Sequence, residues 1–210
     1  MKIQLAIDLV DTAAAIEMVE AIGDLIDIVE VGTPMIIREG LAPVRALKAR
    51  FPEAVVLADT KIMDGGAIEA GDAVSAGADF VTVLAVADDA TIANVVAAAH
   101  QQGRKAMADM ICVRDIAARA CQLDALGLDY ICVHTAKDVQ NTGRDPLDEL
   151  STIVPLLKNA RPAVAGGISK TTVAAAVKAG AEIVVVGGAL TGAPDLRTAT
   201  LELLAAAGEV

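Results

Sequence analysis

Aromatic side chains are nearly absent from this sequence, which has no tryptophan, one tyrosine (Tyr130) and two phenylalanines (Phe51 and Phe80). Nucleic-acid binders commonly combine stacking rings with basic patches, whereas this chain carries a formal net charge of −11. We therefore expect no nucleic-acid partner, although a local pocket for a small phosphate is compatible with an acidic protein. With so few rings, the core must be built from Ala, Val, Ile and Leu.

Long apolar runs are absent as well, and none approaches the roughly 18 residues that a transmembrane helix needs. The N-terminal segment has one lysine and soon reaches Asp8, which is unlike a secretory signal. The three cysteines, Cys112, Cys121 and Cys132, are widely spaced in apolar surroundings. We interpret them as small core residues in a reducing compartment. These features predict a cytoplasmic protein that does not associate with membranes.

The 210 residues are 55% hydrophobic and alternate between short β-rich runs and longer helical ones. The predicted strands are 3–9, 26–31, 54–59, 80–84, 106–111, 130–134, 163–165 and 183–186. The predicted helices are 12–22, 43–50, 66–76, 91–102, 116–126, 146–159, 171–179 and 196–207. Eight βα units leave no room for a second domain, so we predict a single-domain (β/α)8 barrel over 1–210. The alternative fold is a doubly wound open sheet.

The stretch 55–66 reads VVLADTKIMDGG and places charged residues directly after an apolar strand. Side chains two apart on a strand point to the same side, so Asp59 and Lys61 can share a pocket. Asp64 then falls outside the strand, near the start of the next helix. A structural ion pair is the simplest interpretation, but the rest of the chain favours a functional one.

Most of the other predicted strands also end in a polar residue. These residues are Asp8, Glu30, Thr82, Asp109 and His134. In a barrel all strand ends meet on one face, where barrel enzymes place their active sites. We therefore expect acids, a lysine and a histidine from distant positions to converge on a single pocket.

Strands seven and eight instead end in glycine pairs, Gly166-Gly167 and Gly187-Gly188. Bare backbone N–H groups at a tight turn and a helix N-terminus can bind a phosphate. The alternative is that the glycines only permit tight turns. Because barrel enzymes most often hold phosphate after these two strands, we predict a phosphate site here.

Two further predictions concern the metal and the base. Glu30 and Asp59 lie on adjacent strands and could hold Mg²⁺ with waters and substrate, unless one of them only pairs with Lys61. His134 is the only histidine predicted at this face, and its near-neutral pKa suits proton transfer. Arg114 and Asp115 either line the rim of the site or only cap the fifth predicted helix, 116–126.

With these residues in place, the chain resembles the orotidine-phosphate-decarboxylase superfamily of barrels, whose signature is Asp59-x-Lys61-x-x-Asp64. The resemblance covers nearly the whole chain, through Ala6-Ile7-Asp8, Val29 to Pro34, Leu57 to Gly65, Val81 to Leu84, Val133-His134-Thr135, Val164 to Ile168 and Val186 to Ala189.

Within this superfamily the chain is more similar to an aldolase branch than to a decarboxylase branch that acts on 3-keto-L-gulonate 6-phosphate. The decarboxylases typically carry arginine at the positions of Lys137 and Ala189. The aldolases commonly have glycine where Ala136 stands. The resemblance thus implies condensation of formaldehyde with D-ribulose 5-phosphate, with decarboxylation as the alternative activity.

The resemblance also implies roles for the polar residues. Mg²⁺ or Mn²⁺ on Glu30 and Asp59 would stabilise an enediolate, and Lys61 would add a second positive donor. His134 would take the C1 proton. Asp8 would bind a substrate hydroxyl or hold Lys61.

The remaining implied features lie away from the reacting carbon. The glycine pairs would anchor the phosphate of the substrate. Asp64 would reach into the site of a neighbouring subunit, which implies a homodimer with shared active sites.

Overall fold

The computed structural model describes residues 1–142 and 145–208 and is organised around eight parallel strands. They are β1 (Lys2–Ile7), β2 (Ile28–Val31), β3 (Val55–Ile62), β4 (Phe80–Leu84), β5 (Lys105–Asp109), β6 (Tyr130–His134), β7 (Arg161–Ala165) and β8 (Ile183–Val186). Each strand pairs with the next along the chain, and β8 pairs with β1, so the sheet closes. The predicted (β/α)8 barrel is confirmed, and the open sheet is excluded because the sheet has no free edge.

Helices surround the barrel. They are α1 (Thr12–Ile22), α2 (Thr33–Glu39), α3 (Ala42–Arg50), α4 (Gly66–Ser75), α5 (Asp89–Gln101), α6 (Ile116–Ala125), α7 (Pro146–Ile153), α8 (Val173–Lys178), α9 (Gly188–Thr191) and α10 (Leu196–Ala207), with 3-10 turns at Lys137–Thr142 and Val154–Leu156. None of the helices within the described ranges is long and apolar enough to cross a membrane.

Element boundaries differ from the prediction where local chemistry intervenes. The helix predicted over 146–159 is wrong beyond Ile153, because Pro155 cannot continue an α-helix and a 3-10 turn follows. Helix α2 was not predicted, since its seven residues are too few to show a helical period; it begins after Gly32 with Pro34 in its first turn. Strand β3 runs to Ile62, three residues past its predicted end.

The inside of the barrel is not purely aliphatic. Phe80 and Tyr130, two of the three aromatic residues, are buried there with ring centroids 5.6 Å apart. The Lys105 ammonium lies 5.4 Å from the Phe80 centroid and 5.5 Å from the Tyr130 centroid, a cation–π arrangement. The prediction of an Ala, Val, Ile and Leu core is therefore incomplete for the barrel interior, where Phe80 and Tyr130 pack among such residues.

The predicted core of Ala, Val, Ile and Leu describes the layer between the strands and the helices much better. Alternate strand residues such as Leu5, Val56 and Val133 point outward and are fully buried against the helices. Both faces of every strand are thus covered, which accounts for the near-continuous apolar runs of the sequence.

The cysteine prediction is correct only for Cys132, which is buried inside the barrel. Cys112 and Cys121 are exposed. Cys121 lies on the solvent side of α6, and Cys112 lies in the β5–α6 loop with φ of 65°. All three are free thiols.

Candidate active site

The polar residues at the strand ends point into the barrel. Glu30, Asp59, Thr82 and Asp109 are buried, with 3–7% of their surface exposed. Each follows by two residues a member of the inner core, as Glu30 follows Ile28, so its side chain faces the barrel axis. The predicted convergence on the C-terminal face is therefore present.

Strand β3 ends irregularly at the charged pair. Ala58 pairs with Val81 and Ile62 with Val83, so four steps along β3 match two along β4. Within this bulge Lys61 has φ of 47°, an uncommon conformation for a residue with a side chain. The two extra residues preserve the alternation of the strand, so Asp59 and Lys61 both face the pocket.

The Lys61 ammonium joins two carboxylates. Its Nζ lies 2.5 Å from Asp59 Oδ2 and 3.0 Å from Asp109 Oδ2. Burial by itself would lower the pKa of Lys61, but the charges of Asp59 and Asp109 raise it above the ordinary value. Lys61 therefore remains positively charged at neutral pH.

Asp109 also contacts the only histidine of the site. His134 Nδ1 lies 2.9 Å from Asp109 Oδ2 and 3.1 Å from Oδ1. Burial would raise the pKa of Asp109, yet the hydrogen bond and charge of His134, together with the Lys61 charge, lower it to about 2. Asp109 is therefore ionised, and as a pure acceptor it requires His134 to donate through Nδ1.

The Asp59 carboxylate is held on both oxygens. Thr82 Oγ1 donates to Oδ1 at 2.8 Å. Thr33 Oγ1 lies 2.8 Å from Oδ2 and 2.7 Å from the Asp59 carbonyl oxygen, and its single proton can go to either. Together with Lys61, these donors fix the orientation of the carboxylate before any ligand arrives.

Glu30 lies beside Asp59 in the barrel and accepts a 2.6 Å hydrogen bond on Oε2 from Gln4 Nε2. Burial and the Asp59 charge raise the pKa of Glu30 well above its ordinary range, with the Gln4 hydrogen bond opposing them. Such a pair of buried carboxylates favours a nearby cation, because a positive charge would let both ionise.

The described residues contain no group of three or more His, Cys, Asp and Glu side chains arranged for a metal ion. Mg²⁺ needs fewer protein ligands, since it usually keeps several waters and uses one or two carboxylates with substrate oxygens. Glu30 and Asp59 fit such a two-carboxylate site and do not fit a metal that requires an all-protein ligand set.

Asp8 belongs to the same charge cluster. Burial and the Asp59 charge raise its pKa, while Lys61, Lys137 and His134 lower it by smaller amounts. In the described part of the chain its carboxylate has no hydrogen-bond donor, whereas its backbone carbonyl accepts from Arg38. The carboxylate is therefore available to a ligand hydroxyl.

The two glycine pairs border the same face. Gly166 has φ of 97°, and a Cβ added there would lie 2.3 Å from the carbonyl oxygen of Thr135. Only glycine fits this position. Gly187 and Gly188 start α9, where the first N–H groups of a helix have no intrahelical acceptor. Gly167 and Gly188 are exposed, and the phosphate site remains a prediction.

Asp64 is not brought into this cluster. It is exposed, and its carboxylate accepts a 2.7 Å hydrogen bond from the N–H of Gly65. Its predicted role in a neighbouring subunit therefore stays a prediction.

Asp115 caps α6 by accepting from the N–H of Ala118 at 3.0 Å. It also lines, with the exposed Arg114, an open cleft of about 810 Å³ between the β4–α5 and β5–α6 loops. The capping role of Asp115 is therefore confirmed. The cleft contains none of the charged residues of the site described above, so a role at the rim of the site stays a prediction.

Four residues of the site were not assigned a role from the sequence: Gln4, Thr33, Thr82 and Asp109. Asp109 and Thr82 were recognised as polar strand ends, but their partners depend on strand register. Gln4 carries a signal that was missed, because a glutamine on the inward face of an otherwise apolar strand is unusual and needs a partner.

Comparison with known proteins places this site in context. A profile of the "Orotidine 5'-phosphate decarboxylase / HUMPS family" matches residues 1–203. The 3-hexulose-6-phosphate synthase of Bacillus subtilis is 49% identical over 195 residues, which cover 93% of each protein. A Staphylococcus epidermidis protein of the same name is 45% identical over the same extent.

Solved structures agree with these relatives. The crystal structure of 3-hexulose-6-phosphate synthase from Salmonella typhimurium superposes with a TM-score of 0.96 at 42% identity, covering 100% of this chain and 99% of the other. The 3-keto-L-gulonate-6-phosphate decarboxylase of Vibrio cholerae superposes less closely, with a TM-score of 0.86 at 26% identity, 99% coverage of this chain and 97% of the other.

Proposed function

Because the chain belongs to the orotidine 5'-phosphate decarboxylase / HUMPS family, we propose that it is an aldehyde-lyase of the 3-hexulose-6-phosphate synthase type. It joins formaldehyde to D-ribulose 5-phosphate in a reversible aldol reaction that forms D-arabino-3-hexulose 6-phosphate. The observation that carries this proposal is the connected series of Asp59, Lys61, Asp109 and His134 at the mouth of the barrel.

The proton transfer is assigned to His134. With its Nδ1–H donated to Asp109, the neutral imidazole has its lone pair on Nε2. Nε2 takes a proton from C1 of ribulose 5-phosphate, next to the ketone, and an enediolate results. The imidazolium that forms is stabilised by the adjacent Asp109 carboxylate.

The charge on the enediolate oxygens is stabilised by Lys61. Its ammonium is fixed by two carboxylates and needs no reorientation as negative charge develops. C1 then attacks the carbon of formaldehyde, and a carbon–carbon bond forms. The formaldehyde oxygen takes a proton, which the His134 imidazolium can return, so the enzyme ends the cycle unchanged.

Glu30 and Asp59 are the residues proposed to hold a divalent cation, Mg²⁺ or Mn²⁺. Bound there, it would supply further positive charge to the enediolate oxygens. Asp8 orients the sugar by accepting from one of its hydroxyl groups. The N–H groups beside Gly166-Gly167 and Gly187-Gly188 hold the phosphate, so that binding energy remote from the reaction positions C1.

A homodimer with shared sites is proposed on the distribution of apolar surface. Five of the six strongly exposed large apolar side chains in residues 1–142 and 145–208 follow β1 to β4, on the face that carries Asp64. They are Leu9, Ile37, Met63, Ile68 and Val86, each 43–79% exposed. A second copy covering this surface would bring Asp64 towards the partner's site, and exposed apolar clusters typically mark interfaces.

We also propose a reducing, cytoplasmic location. The free thiols of Cys112 and Cys121 are exposed, and such thiols persist most readily where glutathione keeps them reduced.

Activity with purified protein tests the reaction. Formaldehyde and ribulose 5-phosphate are incubated with Mg²⁺, with Mn²⁺, and with EDTA, and formaldehyde consumption is followed alongside hexulose phosphate formation. We expect consumption with either metal and its loss in EDTA. A parallel reaction measures CO₂ release from 3-keto-L-gulonate 6-phosphate. CO₂ release without formaldehyde consumption would refute the aldolase assignment and support the decarboxylase one.

A further inference from the structure

Three residues at the end of β3 face a single residue of β4. Because four steps along β3 match two along β4, Asp59, Thr60 and Lys61 all lie opposite Thr82. Bulges are rare between parallel strands and often lie next to active sites. A side chain opposite the bulge is therefore well placed to determine the shape of the bulge.

Thr82 hydrogen-bonds to all three residues of the bulge. Its hydroxyl donates to Asp59 Oδ1 at 2.8 Å and accepts the Lys61 N–H at 2.9 Å. Its carbonyl oxygen accepts from Thr60 Oγ1 at 3.0 Å. One hydroxyl thus links the carboxylate of Asp59 to the backbone of Lys61.

The backbone of Lys61 needs such support. A non-glycine residue at φ of 47° is in a sparsely populated region that persists only when its surroundings hold it. Thr82 is 3% exposed, so its hydroxyl has no access to bulk water as an alternative partner. Without it, the Lys61 N–H and one Asp59 oxygen would each lose a buried partner.

We propose that Thr82 is a positioning residue of the aldol reaction: its hydroxyl fixes the Asp59 carboxylate and the Lys61 bulge in one arrangement. The inference rests on the proposed function, because it assigns Thr82 a part in holding the groups that stabilise the enediolate. Thr82 itself does not touch substrate.

The decisive pair of variants is Thr82→Val, which keeps the shape but removes the hydroxyl, and Thr82→Ser, which keeps the hydroxyl. Loss of partners around a metal ligand typically costs about 10–100-fold, and we expect kcat of Thr82→Val to fall within that range. KM for ribulose 5-phosphate should stay within about threefold, since the phosphate and hydroxyl contacts are untouched. Thr82→Ser should recover most of kcat.

Thr60→Val is the matched control. It removes a hydroxyl from the same bulge but leaves the contacts of Asp59 and Lys61 in place, so its kcat should match that of the wild type. The proposal is overturned if Thr82→Val keeps wild-type kcat, if Thr82→Ser is equally impaired, or if Thr60→Val loses as much. Should Thr82→Val not accumulate as folded protein, Thr82→Ala removes the same hydroxyl and carries the same expectation.

A crystal structure of the Thr82→Val protein separates this inference from the proposed function. We expect Lys61 to leave its positive φ and its Nζ to move away from Asp59. If Lys61 keeps both, the positioning role is refuted even in an active enzyme. If the wild type does not consume formaldehyde, the proposed function fails, while this structural result still decides the role of Thr82.

Discussion

Replacing Asp109 by Asn should slow catalysis while leaving the fold intact. The amide oxygen of Asn can still accept the His134 Nδ1–H, so the change removes mainly the negative charge. In the wild type, the hydrogen bond and charge of His134 and the charge of Lys61 lower the pKa of Asp109 to about 2, against an ordinary value of 3.8. A difference of roughly two pKa units corresponds to about 2–3 kcal/mol of net interaction between ionised Asp109 and its partners.

Much of this energy should appear in the rate, because proton transfer creates the His134 imidazolium next to Asp109. Losing about 2 kcal/mol in the transition state lowers kcat about 30-fold. The assay is formaldehyde consumption at saturating ribulose 5-phosphate across pH 5 to 9.

The stability of Asp109→Asn has its own pH dependence. Since the folded pKa is below the unfolded one, ionised Asp109 stabilises the wild type fully above about pH 4 and loses this effect as pH falls towards 2. The difference in unfolding free energy between the wild type and Asp109→Asn should therefore shrink over that interval. Urea titrations at several pH values measure it.

Asp124→Asn is the control for Asp109→Asn. Asp124 is also a buried carboxylate, but it lies on α6 and accepts the N–H groups of Asn159 and Ala160 at 2.9 and 2.7 Å. It should lose stability without losing kcat. An Asp109→Asn enzyme with wild-type kcat would refute the assignment of His134 and Asp109 as a functional pair.

Three further predictions follow from the site. Gly166→Ala should raise KM for ribulose 5-phosphate and lower stability by about 2 kcal/mol or more, because its Cβ would lie 2.3 Å from the carbonyl oxygen of Thr135; unchanged steady-state kinetics and melting temperature would contradict this. Asp64→Ala and Lys61→Ala should each be inactive, and mixing them should restore about a quarter of the sites if a dimer shares them; confirmed hybrids without activity would contradict the shared site. Tyr130→Phe should lower stability by about 1 kcal/mol and leave kcat unchanged, because its hydroxyl donates to a surface carboxylate at 2.9 Å; a change in kcat would show that the lower barrel influences the reaction.

The fold was largely predictable, because most strands and helices show their own hydrophobic period and the strand–helix unit occurs eight times. The failures were local. A proline ended α7 inside a region of helical composition, and the short α2 lacked a period. Cys121 was misplaced because Ala-rich helices have an apolar composition on both faces, which hides the direction in which a small side chain points.

Which residues form the site was more predictable than the contacts among them. Asp59 and Lys61 share the pocket as alternation predicts, but through a bulge whose existence the sequence does not reveal. Asp109 was visible as a polar strand end. Its simultaneous contact with Lys61 and His134 depends on distances between the ends of three strands, which a linear pattern of residues does not determine.

The aromatic pair at the N-terminal end of the barrel bears on how substrate and product reach and leave the candidate site. Phe80 and Tyr130 are buried in the barrel end opposite the candidate site, and Lys105 lies against both rings. In the proposed reaction, formaldehyde would therefore arrive and the six-carbon product would leave through the C-terminal face, where the phosphate site is predicted. Formaldehyde, with one carbon, is small enough to enter after the sugar phosphate has bound. A bulkier aldehyde would have to bind before the sugar phosphate.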